Sequence, residues 1–394
     1  MASVVFYFQV HQPFRLRRYT IFDSGANYFD EHHNEEVCKK VASKCYLPTN
    51  RLILELIERH QGRFRVSYSL TGTVLEQFQH WAPEVLQSFK DLAKTGCVEF
   101  IAETYYHSLA FLYNRDEFIA QTKMHSERMK DLFDADVKVF RNTELTYNND
   151  VAQVVEGMGF DAILTEGADH VMGYRSPNFI YNPPNCSHLK MLLKNYRLSD
   201  DIAFRFSNRQ WKEWPLKSET FASWVDQING NGYVCNLFMD FETFGEHQWA
   251  DTGIFEFLRS LPDKVMEGGK NDFLTVSEAI ERYHSVGEID VPHMISWADT
   301  ERDLSAWLGN SMQANALHDV YALAEDVLAS GDQQVIDDWR KLQTSDHFYY
   351  MCTKWFSDGD VHKYFNPYES PYDAYINYMN ILDSIRARAA SSGK

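Results

Sequence analysis

A carboxylate, Glu144, stands in Val139-Phe140-Arg141-Asn142-Thr143-Glu144-Leu145, where a short apolar run gives way to a loop. Polar groups gather at matching places elsewhere: His11 and Gln12, Glu103 and His107, Asn142, Glu166, and Asp240 with Glu242 each follow an apolar run. Two carboxylates facing each other across a groove are the minimum for cleaving a glycosidic bond. One protonates the leaving oxygen, and the other attacks the anomeric carbon or activates water. Glu144 and Asp240 follow different runs and are the pair placed to flank a sugar. The same inventory permits a second chemistry. Glu103 with His107, or His11 with Asp240 and Glu242, are carboxylate–imidazole sets of the kind that bind zinc or manganese. No HExxH or paired CxxC motif accompanies them, so no metal is expected.

The runs that end in these groups read as strands: residues 3–10, 63–70, 97–101, 138–140, 162–167, 189–198 and 233–239. Helical patterns separate them. Residues 48–60 carry apolar side chains at helical spacing, and Val151, Val154, Val155 and Met158 fall on one face after Asn149 and Asp150, which can cap that helix. Seven strand–helix units in alternation predict a parallel sheet closed, or nearly closed, into a barrel. On such a scaffold the strand C-termini form the rim where ligands bind. No GxGxxG follows the first run, which argues against a dinucleotide fold. Residues 173–185, rich in Pro, Asn and Tyr (Tyr174 and Tyr181 among them), read as an excursion over the rim. After residue 265 the pattern turns helical, with a Thr275-Val276-Ser277-Glu278 capping box and helices over residues 311–329 and 372–388. The expected domains are therefore a catalytic barrel over residues 1–265 and a helical bundle over residues 266–394 packed on it.

Composition narrows the partners. The net charge of −18 opposes nucleic-acid binding, which needs basic stripes. No run reaches the roughly 18 apolar residues of a membrane helix, and residues 1–6 have no basic leader, so neither a membrane nor a secretory route is expected. Six scattered cysteines without a CxxC pair fit a reduced, cytoplasmic protein. Nothing in the sequence sets an oligomeric state. Aromatic residues make up 15% of the chain, enough to supply platforms for flat, uncharged sugar rings. Trp297, Trp249, Trp211 and Tyr105 are the stacking candidates.

Five segments in order make the chain resemble glycoside hydrolase family 57, the α-amylase, 4-α-glucanotransferase and branching-enzyme family. They are His11-Gln12-Pro13, Gly72-Thr73-Val74-Leu75-Glu76, the stretch from Phe140 to Leu145, Met239-Asp240-Phe241-Glu242-Thr243-Phe244-Gly245, and Ser296-Trp297-Ala298-Asp299. The resemblance implies an α/β fold, a distorted TIM-like (β/α)7 barrel followed by a C-terminal helical bundle. It further implies an α-glucan or maltooligosaccharide substrate, retention of anomeric configuration and no cofactor. Glu144 would be the nucleophile and Asp240 the acid/base. His11, Gln12, Glu103, His107, Asn142, Glu242, Trp249, Trp297 and Asp299 would be substrate-binding positions. The chain departs from many members at Arg141, where they have Trp, and at Phe241, where they have Gly. An α-amylase-type hydrolase is the first expectation. A 4-α-glucanotransferase, a branching enzyme, or a metal-dependent deacetylase or mannosidase on a related barrel are the alternatives.

Overall fold

The computed structural model describes residues 1–354 and 366–392, so the C-terminal part of the expected helical domain is covered except for residues 355–365 and 393–394. Nine strands are found among the described residues: β1 (Ala2–Val10), β2 (Val66–Leu70), β3 (Val98–Phe100), β4 (Val139–Arg141), β5 (Ala162–Glu166), β6 (Ile180–Tyr181), β7 (Lys190–Lys194), β8 (Val234–Asp240) and β9 (Asn271–Phe273).

Seven of these form a ring of parallel neighbours. One sheet runs β3-β2-β1-β8 and the other β4-β5-β7. The two meet on one side where Ala102, just past β3, bridges Phe140 of β4. On the other side they meet where the Asn195 N–H donates to the Asn236 carbonyl at 2.9 Å. Below that contact the β7–β8 seam is filled by residues 177–181. Asn236 Nδ2 donates to the Pro177 carbonyl at 3.4 Å, and the N–H groups of Tyr233 and Val234 donate to the Asn178 carbonyl. The segment expected to lie over the rim therefore descends into this seam. Its Ile180 is apolar and is buried inside the barrel, while Tyr174 is left 93% exposed.

Alternation along the strands explains where the functional groups come from. Val4, Phe6, Phe8 and Val10 of β1 face outward and pack under the helices. Val5 and Tyr7 face inward with Ile101, Val139, Leu164, Leu192 and Phe238. Because the side-chain period of a strand is two, the next inward position on each strand is fixed by that core. These positions are Gln9, Ser69, Glu103, Arg141, Glu166, Lys194 and Asp240. An apolar plug thus fills the barrel and a polar, charged layer caps it at the strand C-termini.

Past residue 265, the boundary expected from the sequence, the chain still contributes β9. It pairs with Ala2–Val4 of β1, so the sheet runs on to Phe273; a three-residue strand gives too short a pattern to read. The capping box at Thr275 and Glu278 is present. The helices Ser311–Ala322, Ala324–Ala329, Gln333–Lys341, Ser345–Tyr349 and Pro371–Ser392 then pack around Val320, Val327, Trp339, Tyr378 and Ile385. The helix expected over residues 311–329 is divided at Leu323. Among the described residues no helix is long and apolar enough to cross a membrane.

Candidate active site

A cleft of about 670 Å³ opens over the charged layer, lined among others by His11, Gln12, His107, Glu144, Asp240, Glu242, Trp297 and Asp299. That volume is in the range of small-ligand sites. Glu144 reaches it from a single turn after β4. Its backbone is left-handed (φ 56°, ψ 26°), and Leu145 follows at φ 51°. Non-glycine residues in this region cost about 1–3 kcal/mol and persist where surrounding contacts hold them. Here the Asn142 side chain holds the turn. Its Oδ1 accepts from Thr143 N–H at 3.0 Å, and its Nδ2 donates to Thr146 Oγ1 at 2.9 Å.

Both oxygens of Glu144 are engaged. His107 Nε2 donates to Oε1 at 3.1 Å and the Trp297 indole N–H donates to Oε2 at 2.7 Å. Ser345 Oγ also donates to Oε1 at 3.4 Å. The other nitrogen of His107 donates to Glu103 Oε2 at 3.0 Å, and Glu103 Oε1 accepts from Gln9 at 2.9 Å and Ser69 at 2.5 Å. Burial opposes charge on His107, but the two carboxylates bonded to it overcome this and raise it to about 9, so it is an imidazolium at neutral pH. Burial likewise opposes charge on Glu144. The His107 hydrogen bond and charge, Arg141 and the Trp297 hydrogen bond outweigh it and hold the carboxyl at about 2.

Asp240 is set the opposite way. Burial and the negative Glu144 raise its carboxyl to about 6, against the pull of Arg141, Lys194 and His107. Glu242, buried beside it and accepting a hydrogen bond from Tyr46, is raised to about 8 by burial and by Asp240. The cleft therefore holds one carboxyl fixed as an anion and another poised to carry a proton. Such a pairing is what acid–base division of labour requires.

Trp297 is placed by ties to distant parts of the chain. Its N–H donates to the Glu144 carbonyl at 3.2 Å, and Ile295 and Tyr147 exchange backbone hydrogen bonds. Arg302, whose guanidinium bonds the Trp297 carbonyl, anchors the same loop to the barrel by ion pairs to Glu166 and Asp200, both at 3.5 Å. Lys194 pairs with Asp200 at 3.1 Å. Asp299 and Arg302 both have a positive φ, 56° and 54°.

Residues 5–292 match the model of Glycosyl hydrolase family 57. The chain belongs to that family. A Methanocaldococcus jannaschii protein provisionally named an alpha-amylase is 46% identical over 394 residues, covering 96% of this chain and 83% of that protein. Among solved structures, a family 57 branching enzyme of Thermococcus kodakaraensis, in complex with glucose and additives, superposes with a TM-score of 0.74 at 14% identity. That match covers 100% of this chain and 92% of that one. A 4-alpha-glucanotransferase of Thermococcus litoralis superposes at 0.68 with 15% identity over 88% of this chain, which spans 56% of the longer enzyme. Family 57 members are retaining glycosidases acting on α-glucans. The fold is the family's (β/α)7 barrel with a C-terminal helical domain, and the chain is a glycoside hydrolase.

Seen as a family 57 site, the cleft brings together most of the residues assigned to catalysis or sugar binding from sequence and leaves Glu103, Asn142 and Trp249 outside its lining, together with Glu166 and the stacking candidates Tyr105 and Trp211. Glu103 is fully buried and serves His107, and Asn142 is spent on its own turn. Trp249 is half exposed and carries Lys44 over its ring at 5.2 Å. His11 lines the cleft, yet both its nitrogens are occupied. Thr71 Oγ1 lies 3.0 Å from Nδ1 and Asp346 Oδ2 lies 2.9 Å from Nε2. Its ring stacks on that of His107 at 4.0 Å. Burial and the His107 charge push the His11 titration down, so it is neutral, with Nε2–H donating to Asp346 and Nδ1 accepting from Thr71. Glu103 and His107, one of the sets that suggested a metal, are joined directly by their 3.0 Å hydrogen bond. Among the described residues no group of three or more His, Cys, Asp or Glu is arranged to hold one. Phe241 and Phe244 pack in the outer core against Phe8 at 5.3 and 5.7 Å and do not face the cleft.

Asp346 is the residue that the sequence reading missed. It arrives on the five-residue helix Ser345–Tyr349 of the helical domain, which the Ser345 N–H fastens to the His107 carbonyl at 2.9 Å. Burial works against its charge, but His11 and His107 hold the carboxyl well below the usual range. Only the polar run Thr344-Ser345-Asp346 marks it in the sequence. Lys194 was more visible, as the charge that closes the apolar run Met191-Leu192-Leu193 at the inward register.

Proposed function

We propose that this chain is a retaining glycosidase of the α-amylase type, cleaving α-1,4-glucans through a covalent glycosyl-enzyme on Glu144 with Asp240 as acid/base. The observation that carries the reading is the opposed state of the two carboxyls, Glu144 at about 2 and Asp240 at about 6. In the first half-reaction a Glu144 oxygen attacks the anomeric carbon as the glycosidic C–O bond breaks. Asp240 delivers its proton to the departing oxygen. In the second, Asp240 takes a proton from water, whose oxygen displaces Glu144 from the anomeric carbon. His107 and Trp297 keep Glu144 ionised and aimed. Once Glu144 is esterified its charge is gone, one of the two influences that raise Asp240 is removed, and Asp240 ionises more readily, which is the state a general base needs.

Gln12, Glu242, Trp297, Asp299 and Asp346 are the proposed sugar contacts. Asp346 Oδ2 bonds His11, while its side chain remains 24% exposed toward the cleft, leaving a charged acceptor for a sugar hydroxyl. A cytoplasmic location is supported by the six unpaired cysteines.

Transfer to a second sugar is the alternative outcome of the same intermediate. Phe241 and Phe244, the aromatic residues that follow Asp240 in sequence, are turned into the core and offer an acceptor sugar no platform, which favours water. Incubation with maltotriose, followed by product chromatography, tests the reading. Mostly glucose and maltose are expected. Longer α-1,4 products from the start would make it a 4-α-glucanotransferase, and α-1,6 linkages a branching enzyme. Full activity in Glu144→Gln or Asp240→Asn would remove the assigned roles.

A further inference from the structure

Arg141 is a member of the charged layer that the proposed chemistry leaves unused. It ends β4, its side chain is fully buried, and its Nε, Nη1 and Nη2 have no hydrogen-bond partner among the described residues. A buried charge is normally paired and hydrogen-bonded, so something else holds this one. Two contacts do. Its guanidinium carbon lies 4.8 Å from the centroid of the Trp297 ring, where Lys194 Nζ also lies within 5.1 Å. The groups that feel its charge come from four strands: Tyr7 within β1, Glu103 after β3, Glu144 after β4 and Asp240 on β8.

A planar cation over an indole is drawn to the negative face of the ring, and a planar guanidinium stacks where an ammonium only points. The contact therefore fixes the ring as much as the cation. The ring it fixes is the one whose N–H reaches Glu144 Oε2 at 2.7 Å. A turn of the indole would break that bond. We propose that Arg141 is a positioning residue, whose buried guanidinium seats the Trp297 indole against Glu144 and supplies a counter-charge shared by Glu144 and Asp240. The inference rests on the acid pair assigned above. It also accounts for a cation beneath two acids without contact to the sugar, since Arg141 does not line the cleft.

The full chain carrying Arg141→Met or Arg141→Lys tests this, beside Trp297→Phe. With tryptophan 15N-labelled, the Trp297 indole resonance is identified by its loss in Trp297→Phe. Arg141→Met should shift or broaden it more than any other indole, and Arg141→Lys should do so less. On maltotriose, Arg141→Met should lower kcat about tenfold or more, the scale of a small misplacement of a reacting group. Arg141 lowers both carboxyls in the wild type, so its removal should move both limbs of the kcat/KM profile to higher pH. Limbs that stay while the resonance moves would overturn the counter-charge. Limbs that move around an unmoved resonance would overturn the seating of Trp297. A lower unfolding midpoint with neither change would make Arg141 a packing residue and overturn both. Should the wild type turn over no maltooligosaccharide, the functional reading falls, and the indole resonance alone decides on Arg141.

Discussion

Replacing the proposed acid/base should make the protein more stable while abolishing its activity. The Asp240 carboxyl rises from an ordinary 3.8 to about 6. At ~1.36 kcal/mol per unit, the fold disfavours its ionised form by about 3 kcal/mol; the part facing the cleft trims this to about 2–3. The sign follows from proton binding. A carboxyl with a raised folded value keeps its proton longer in the native state, so stability is complete below 3.8 and is lost as pH rises through about 6. Asp240→Asn removes the ionisation and the loss with it. At pH ~8 the variant should gain about 2–3 kcal/mol over the wild type, and at pH ~4 well under 1 kcal/mol. Urea unfolding at the two pH values, with the slopes compared to exclude a changed unfolded state, measures the difference. An equal effect at both pH values, or destabilisation at the higher one, would show that Asp240 is not strained in its charged form.

Three further outcomes follow from the site. Glu144 must be ionised and Asp240 protonated, so kcat/KM should hold between about 2 and about 6 and fall on the alkaline side; an activity still rising at pH ~8 would contradict the assignment. Trp297→Phe deletes the 2.7 Å bond to Glu144. It should lower kcat about tenfold or more and lower the unfolding midpoint as well, since a charge-assisted hydrogen bond contributes about 1.5–3 kcal/mol; an unchanged kcat would make the bond incidental. Asp346→Asn keeps the shape but loses the charge that accepts from His11 and, in the proposal, from a sugar. Its KM for maltooligosaccharides should rise more than its kcat falls, and a selective fall in kcat would instead place Asp346 among the groups acting only in the transition state.

Local pattern determined a good deal here. The apolar runs around β1, β4, β7 and β8 and the helical spacings between them carry the barrel. Their two-residue period carries the inward register of Gln9, Arg141, Lys194 and Asp240. Those signals are legible because strands alternate whatever surrounds them. The descent of residues 177–181 into the β7–β8 seam was not legible, because it depends on a gap that exists only once the ring has closed. Nor was the pairing of Trp297 with Glu144 across 153 positions, or of Asp346 with His11 across 335, since loop and domain placement bring them together and no spacing encodes it. The protonation states belong to the same class. Glu144 and Asp240 are carboxyls of nearly equal intrinsic acidity, and only through-space neighbours and the depth of burial drive one to about 2 and the other to about 6. The sequence names the two acids; the folded charge layer makes one an anion and the other a proton carrier.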